Sequence, residues 1–187
     1  MDNNDKDINM NADCSSPEQL CSTIREDIET YDGILFGFGT ELFKQKNEDI
    51  NDVLDKLAEY LNHKNCFIIS SIKEDTLRKS GLNQKRIVCP YLAETDKETE
   101  DKQWELYNKW LSGTLAKKLL VIELGENFNN PNLIKWPFER VVMINDKARF
   151  YRIHSMFYQI PPEIKDKSVT YKYDSYEILK MLVNIVK

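Results

Sequence analysis

Apolar positions along the chain fall into two kinds of segment that take turns from residue 20 onward. One kind is a short unbroken run closed by a turn residue: Gly33-Ile34-Leu35-Phe36-Gly37-Phe38-Gly39, Cys66-Phe67-Ile68-Ile69-Ser70-Ser71, Arg86-Ile87-Val88 before Pro90, and Leu119-Leu120-Val121-Ile122-Glu123-Leu124 before Gly125. Runs of this length, apolar at consecutive positions with few exceptions, suit strands buried on both faces. Residues 149–153 and 169–173 read as two later strands. The other kind has apolar residues three or four apart, the spacing of one helix face. Leu20, Ile24 and Ile28 form the first set, entered through Ser16 as N-cap and Pro17 at the first helical position. Ile50, Val53, Leu54, Leu57 and Leu61 form the second, and a short helix over 74–80 is expected to stop at Gly81 as its C-terminal glycine. An acidic linker, 94–101, leads to a helix with Trp104, Tyr107, Leu111 and Leu115 on one face. A packed helix follows Pro131 through Trp136-Pro137-Phe138 to Val142, and Tyr176, Leu179, Val183 and Val186 define the last one. Buried strands alternating with amphipathic helices predict right-handed βαβ units, hence an α/β fold with a mostly parallel sheet.

Composition narrows this picture. At 187 residues the chain has the length of one domain and needs no disulfide or metal to stabilise its core. Residues 1–16, rich in Asn and Asp, are expected to be a disordered acidic tail, leaving 17–187 as the folded unit. The net charge of −5 comes from interleaved acids and bases without a basic stripe, so nucleic acid is not an expected partner. No apolar run reaches the ~18–20 residues that span a bilayer, and the acidic N-terminus is unlike a secretory signal. A cytoplasmic protein without membrane contact is expected. Cys14, Cys21, Cys66 and Cys89 form no CxxC pair, and with only His63 and His154 beside them no metal site is expected.

Ligands of parallel sheets sit beyond the carboxyl ends of the strands, where strand order reverses. That rule selects residues 37–41, 70–74 and 125–131. Gly37-Phe38-Gly39-Thr40 lets backbone approach a phosphate and offers amide donors and a hydroxyl. The full dinucleotide fingerprint needs a third glycine where Leu42 stands, so a plain tight turn explains the run equally well. Gly125-Glu126-Asn127, after the strongest strand, offers amides and a carboxylate to ribose hydroxyls, or is simply a long connection. His154 and Ser155 are neighbours on extended chain and point to opposite sides, and no GxSxG elbow exists. A histidine hydrogen-bonded at the sheet end is expected rather than a hydrolase triad. Asp174 can meet an adenine or ribose, but capping the final helix is the favoured role. The tryptophans are assigned to packing, with Trp104 and Trp110 on different faces of their helix.

The run Leu119-Leu120-Val121-Ile122-Glu123-Leu124-Gly125-Glu126-Asn127-Phe128-Asn129-Asn130-Pro131, then Ile134-Lys135-Trp136-Pro137-Phe138, resembles the second half of sirtuins. So does the stretch Tyr151-Arg152-Ile153-His154-Ser155-Met156-Phe157-Tyr158-Gln159. The likeness points to the macrodomain-linked bacterial branch and to small Sir2-like proteins of clostridia. It implies a three-layer Rossmann-like domain that binds NAD or ADP-ribose and transfers ADP-ribose or an acyl group. It also implies departures from that family. The Gly-Ala-Gly-plus-serine turn reads Gly37-Phe38-Gly39-Thr40, and the Thr-Asn-x-Asp motif reads Ser71-Ile72-Lys73-Glu74. The usual catalytic His or Gln falls near Tyr91, and the paired cysteines of the zinc-binding small domain are missing. The expectation is therefore a degenerate, non-catalytic sirtuin-like domain without catalytic residues or metal. It binds NAD or ADP-ribose through Gly37, Phe38, Gly39, Thr40, Glu74, Gly125, Glu126, Asn127, His154, Ser155 and Asp174, or engages a protein partner. Two alternatives stand beside it: an NAD-dependent ADP-ribosyltransferase or deacylase rebuilt around Glu74, His154 and Ser155, and a dimerising scaffold without ligand.

Overall fold

Six strands form one sheet: β1 (Gly33–Phe38), β2 (Cys66–Ser70), β3 (Ile87–Val88), β4 (Leu119–Leu124), β5 (Arg149–Ile153) and β6 (Ser168–Tyr171). The computed structural model describes residues 16–44, 50–72, 75–91 and 97–184. Every pairing is parallel, in the order β3-β2-β1-β4-β5-β6. This is the doubly wound, Rossmann-like arrangement, in which chain direction across the sheet reverses between β1 and β4. Those two strands are buried at every position, as their unbroken apolar runs require.

Helices cover both faces, giving three layers. Side chains of Ile34, Phe36 and Phe38 enter one core with α1 (Pro17–Thr30), α2 (Ile50–Tyr60) and α6 (Ser175–Val183). The alternate residue Leu35 enters the other, with Phe67, Val121 and the helices α4 (Lys97–Ser112) and α5 (Lys135–Ile144). Gly37 lies on that second face, where α5 packs so closely that a methyl group would come within 2.7 Å of Ile134 and Phe138. Ser16 caps α1, and Pro17 opens it. Arg25 of α1 donates to the Met181 and Leu182 carbonyls at the end of α6, satisfying groups that the helix itself leaves open. Tyr151 donates to Asp27 at 2.6 Å, fastening α1 to the sheet.

Several expectations change. The acidic residues Glu98 and Glu100 are not linker but the first turn of α4, where carboxylates suit the positive end of the helix dipole. Trp104 and Trp110 do not separate onto different faces. Both flank Tyr107, at 5.7 and 6.4 Å between ring centres, because each lies three residues from it, about 60° round the helix. Leu115 lies past the end of α4 and is exposed, and Trp136 is also exposed, not packed. The helix expected over 74–80 is one turn, α3 (Thr76–Lys79). It ends on extended backbone at Ser80, so Gly81 makes no left-handed cap; its amide donates instead to Asp55 at 2.9 Å. The segment after Pro131 first forms a turn, and α5 starts at Lys135 with Pro137 in its opening turn, where no amide donor is needed. The last strand ends at Tyr171, because the residues beyond it lead into the cap of α6. Cys14 and Val186 lie outside the described residues. Among the described residues, no group of three or more His, Cys, Asp or Glu side chains is placed to hold a metal, and no helix is long and apolar enough to cross a membrane.

Candidate functional site at the switch point

The loops after β1 and β4 meet where the strand order reverses, and a cavity of about 280 Å³ opens there. Thr40, Ser71, Tyr91, Glu126, Asn127, Asn129 and Asn130 line it. Asn127 Nδ2 donates to Thr40 Oγ1 at 2.6 Å, joining the two loops. The Asn127 Oδ1 accepts from the Asn129 amide at 2.7 Å, which fixes the side chain from its other end. Glu126 is 2% exposed, and Ser71 Oγ donates to its Oε2 at 2.6 Å. Burial pushes the Glu126 carboxyl up to about 7; the nearby Glu123 charge adds to this, against the Ser71 hydrogen bond, the Asn127 amide and the Lys135 charge. A carboxyl that titrates near neutrality, on a cavity wall, can accept from a sugar hydroxyl or exchange a proton with a ligand.

Of the run Gly37-Phe38-Gly39-Thr40, only Thr40 lines the cavity. Phe38 is fully buried in the core against Phe36. Gly39 donates its amide to the Leu124 carbonyl at 2.8 Å, and Glu41 donates to Gly125 at 3.1 Å. A side chain at Gly39 would overlap the Gly125 carbonyl oxygen and the Glu126 backbone. Gly125 has φ +72°, and a methyl group there would meet Ser175 Oγ at 2.6 Å. The glycines thus let two turns stack backbone on backbone, and the Gly39 and Glu41 amides are engaged by protein carbonyls.

His154 and Ser155 meet at Glu41, the last residue of the selected segment 37–41, which was given no role of its own. Its carboxylate is 6% exposed and accepts from Ser155 N at 3.2 Å, Ser155 Oγ, and Ser175 N at 3.4 Å. Burial raises the Glu41 carboxyl, but hydrogen bonds from Ser155 and Ser175 hold it below its ordinary value. His154 Nδ1 lies 3.3 Å from Glu41 Oε1, yet it already accepts the amides of Met156 (2.9 Å) and Phe157 (3.1 Å). Two donated amides leave no proton on Nδ1, so the ring is neutral with its hydrogen on Nε2. Burial likewise holds His154 below its ordinary value. His154 and Ser155 therefore serve local structure and do not pair with each other. Asp174 caps α6, accepting from Tyr176 N at 2.9 Å and Glu177 N at 3.1 Å. Ile72 is buried in the core, Tyr91 borders the cavity, and Glu74 lies outside the described residues.

Beneath the cavity is a charge cluster. Arg152, with no exposed surface, donates to both oxygens of Glu123 at 2.7 and 2.9 Å, and to Glu139 at 2.7 Å. Lys135 is 3% exposed and its Nζ has no hydrogen-bond partner among the described residues; it stands 4.4 Å above the Phe128 ring. Phe128 packs edge-on to Phe157, which in turn touches His154. The signal for Arg152 was present in the sequence: Glu123 and Arg152 are charges inside apolar runs, and the sheet register places them side by side.

This fold and cavity define a Rossmann-like α/β domain with a polar pocket at its switch point. No protein-family model matches the chain. Over 67 residues, 36% of this chain, it is 28% identical to a Staphylococcus aureus (strain Mu50 / ATCC 700699) protein named Protein ADP-ribosyltransferase. The match takes in 21% of that protein, so the chain is similar to about a fifth of the relative's length.

Proposed function

We propose that the domain binds a nucleotide built on ADP-ribose, either NAD or ADP-ribose itself, in the switch-point cavity, as a sirtuin-like domain without sirtuin catalysis. The observation that carries this reading is the cavity lining. Hydroxyl, amide and carboxyl groups from the loops after β1, β2 and β4 converge at the place where parallel sheets bind nucleotides. Such a set suits ribose hydroxyls, with Asn127 and Thr40 on one side and Glu126 as acceptor on the other. The partial similarity to a protein named as an ADP-ribosyltransferase supports the same ligand class. The buried Ile72, where sirtuins carry a polar asparagine, supports the absence of their chemistry.

Thermal unfolding with NAD, ADP-ribose, AMP and nicotinamide tests it. Ligand at 100-fold its Kd stabilises by about 2.7 kcal/mol, which raises Tm by roughly 5–10 °C for a domain of this size. Asn127→Ala should abolish the shift, and no shift from any of the four ligands would refute the reading.

One observation favours a second reading, ADP-ribosyl transfer: the Glu126 carboxyl titrates near neutrality on the cavity wall. An acceptor hydroxyl or amine would attack the anomeric carbon while the bond to nicotinamide breaks. Nicotinamide departs neutral and Glu126 takes the acceptor's proton. Nicotinamide release from NAD that is lost in Glu126→Gln would establish this reading; release at an unchanged rate in that variant would exclude Glu126 as the base.

A further inference from the structure

A buried ammonium group normally sits against a carboxylate or carbonyl. Lys135 Nζ has no such hydrogen-bond partner among the described residues, although it is nearly inaccessible. The charges that face it are Arg152 from β5, Glu123 from β4, Glu139 from its own helix, and Glu126 from the loop after β4. Arg152 is already shared between Glu123 and Glu139, so one positive and two negative charges stand there before Lys135 is counted. Lys135 brings that set to neutrality, and Glu126 is the group left over. Glu126 itself faces Glu123 and Lys135, with Ser71 bonded to it. A second buried donor lies across the aromatic pair, His154 Nε2, also without a partner among the described residues. Phe128, whose ring lies 4.4 Å from Lys135 Nζ and packs on Phe157, is 54% exposed and belongs to the same loop as the cavity-lining Asn127 and Asn129. Among the described residues the cavity lining contains no Lys, Arg or His to meet the negative part of a nucleotide.

We propose that Lys135 receives the anionic part of the nucleotide once the Phe128 ring turns aside, and that this step takes up one proton on Glu126. The proposal rests on the nucleotide reading above. An added anion would stand in a low-dielectric cluster beside an ionised Glu126, and protonating that carboxyl removes the one negative charge of the cluster that no cation balances.

Calorimetry on the full chain with ADP-ribose, in buffers of different ionisation enthalpy near pH 8, should show uptake approaching one proton. Affinity should fall by up to about tenfold per pH unit above 7. Glu126→Gln should remove both the uptake and the pH slope. Lys135→Met should weaken ADP-ribose at least about tenfold while leaving adenosine, which carries no phosphate, unchanged, whereas Lys135→Arg should retain binding. Wild-type affinity for ADP-ribose in a folded Lys135→Met variant, or binding without proton uptake, would overturn the proposal. If Lys135→Met does not fold, the wild-type proton count decides. Should neither ADP-ribose nor adenosine bind, the cavity reading fails by itself. Inorganic pyrophosphate then decides the Lys135 assignment: binding that requires Lys135 upholds it, and no binding overturns it.

Discussion

Replacing Glu126 by glutamine should make the protein more stable, and only where the carboxyl of an unfolded chain would be ionised. The change is nearly isosteric, and the glutamine oxygen can still accept from Ser71. In the wild-type fold the carboxyl is raised from 4.5 to about 7, chiefly by burial. Below pH 4.5 both folded and unfolded chains hold the proton, and the group is neutral in stability. Between 4.5 and 7 the unfolded chain gives up its proton while the folded one keeps it, so stability falls as pH rises. Above 7 the loss is complete, about 3 kcal/mol at 1.36 kcal/mol per pH unit. Glutamine does not titrate and escapes that loss. Urea unfolding of both proteins at pH 5 and pH 8 isolates the effect, because all other titrating groups are common to them. The gain of the variant over wild type should be about 2–3 kcal/mol larger at pH 8, or roughly 5–10 °C in Tm. An equal difference at the two pH values would show that Glu126 is not held protonated by its surroundings, and would remove the electrostatic argument built on it.

Gly39→Ala should destabilise by more than about 2 kcal/mol in urea, because the atoms it would strike are backbone. An intact fold that merely loses ligand would instead assign Gly39 to ligand contact. Arg152→Met leaves Glu123 buried without its partner and should lose about 3–5 kcal/mol, read as loss of soluble protein or a collapsed urea midpoint; adding Glu123→Leu should recover most of it. Asp174→Ala removes two hydrogen bonds at the start of α6 and should lower stability by about 1 kcal/mol without changing nucleotide affinity.

The strands were legible because they are buried on both faces, and such strands write themselves as unbroken apolar runs. Ser16, Pro17 and Asp174 were legible for a different reason: a helix start is settled by neighbouring residues alone. Gly81 misled because a glycine after a helical pattern suits a left-handed cap, while here its amide is taken by Asp55 from α2. The acidic approach to α4 misled in the opposite way, since carboxylates that look like a solvated linker also favour the first turn of a helix. For the site, Thr40, Glu126 and Asn127 could be selected by the rule for strand ends, which needs only topology. Glu41 fell inside the selected segment 37–41 but received no role there, because its partners Ser155 and Ser175 are far away in sequence and its burial follows from their convergence. Lys135 sat in the run that carries the sirtuin resemblance and drew no role of its own, because nothing local announces that α5 will bring it against Phe128.

The bond between Asn127 and Thr40 has a consequence for how the molecule comes apart. β1, β2 and β3 belong to one stretch of chain, β4, β5 and β6 to another, and within the sheet these stretches touch only along β1 and β4. Asn127 and Thr40 close the carboxyl end of that seam. A molecule lodged there would grip both stretches at once, and opening the seam would have to wait for it to leave. Its signature would be slower amide exchange along β1 and β4 together, with the outer strands β3 and β6 hardly affected.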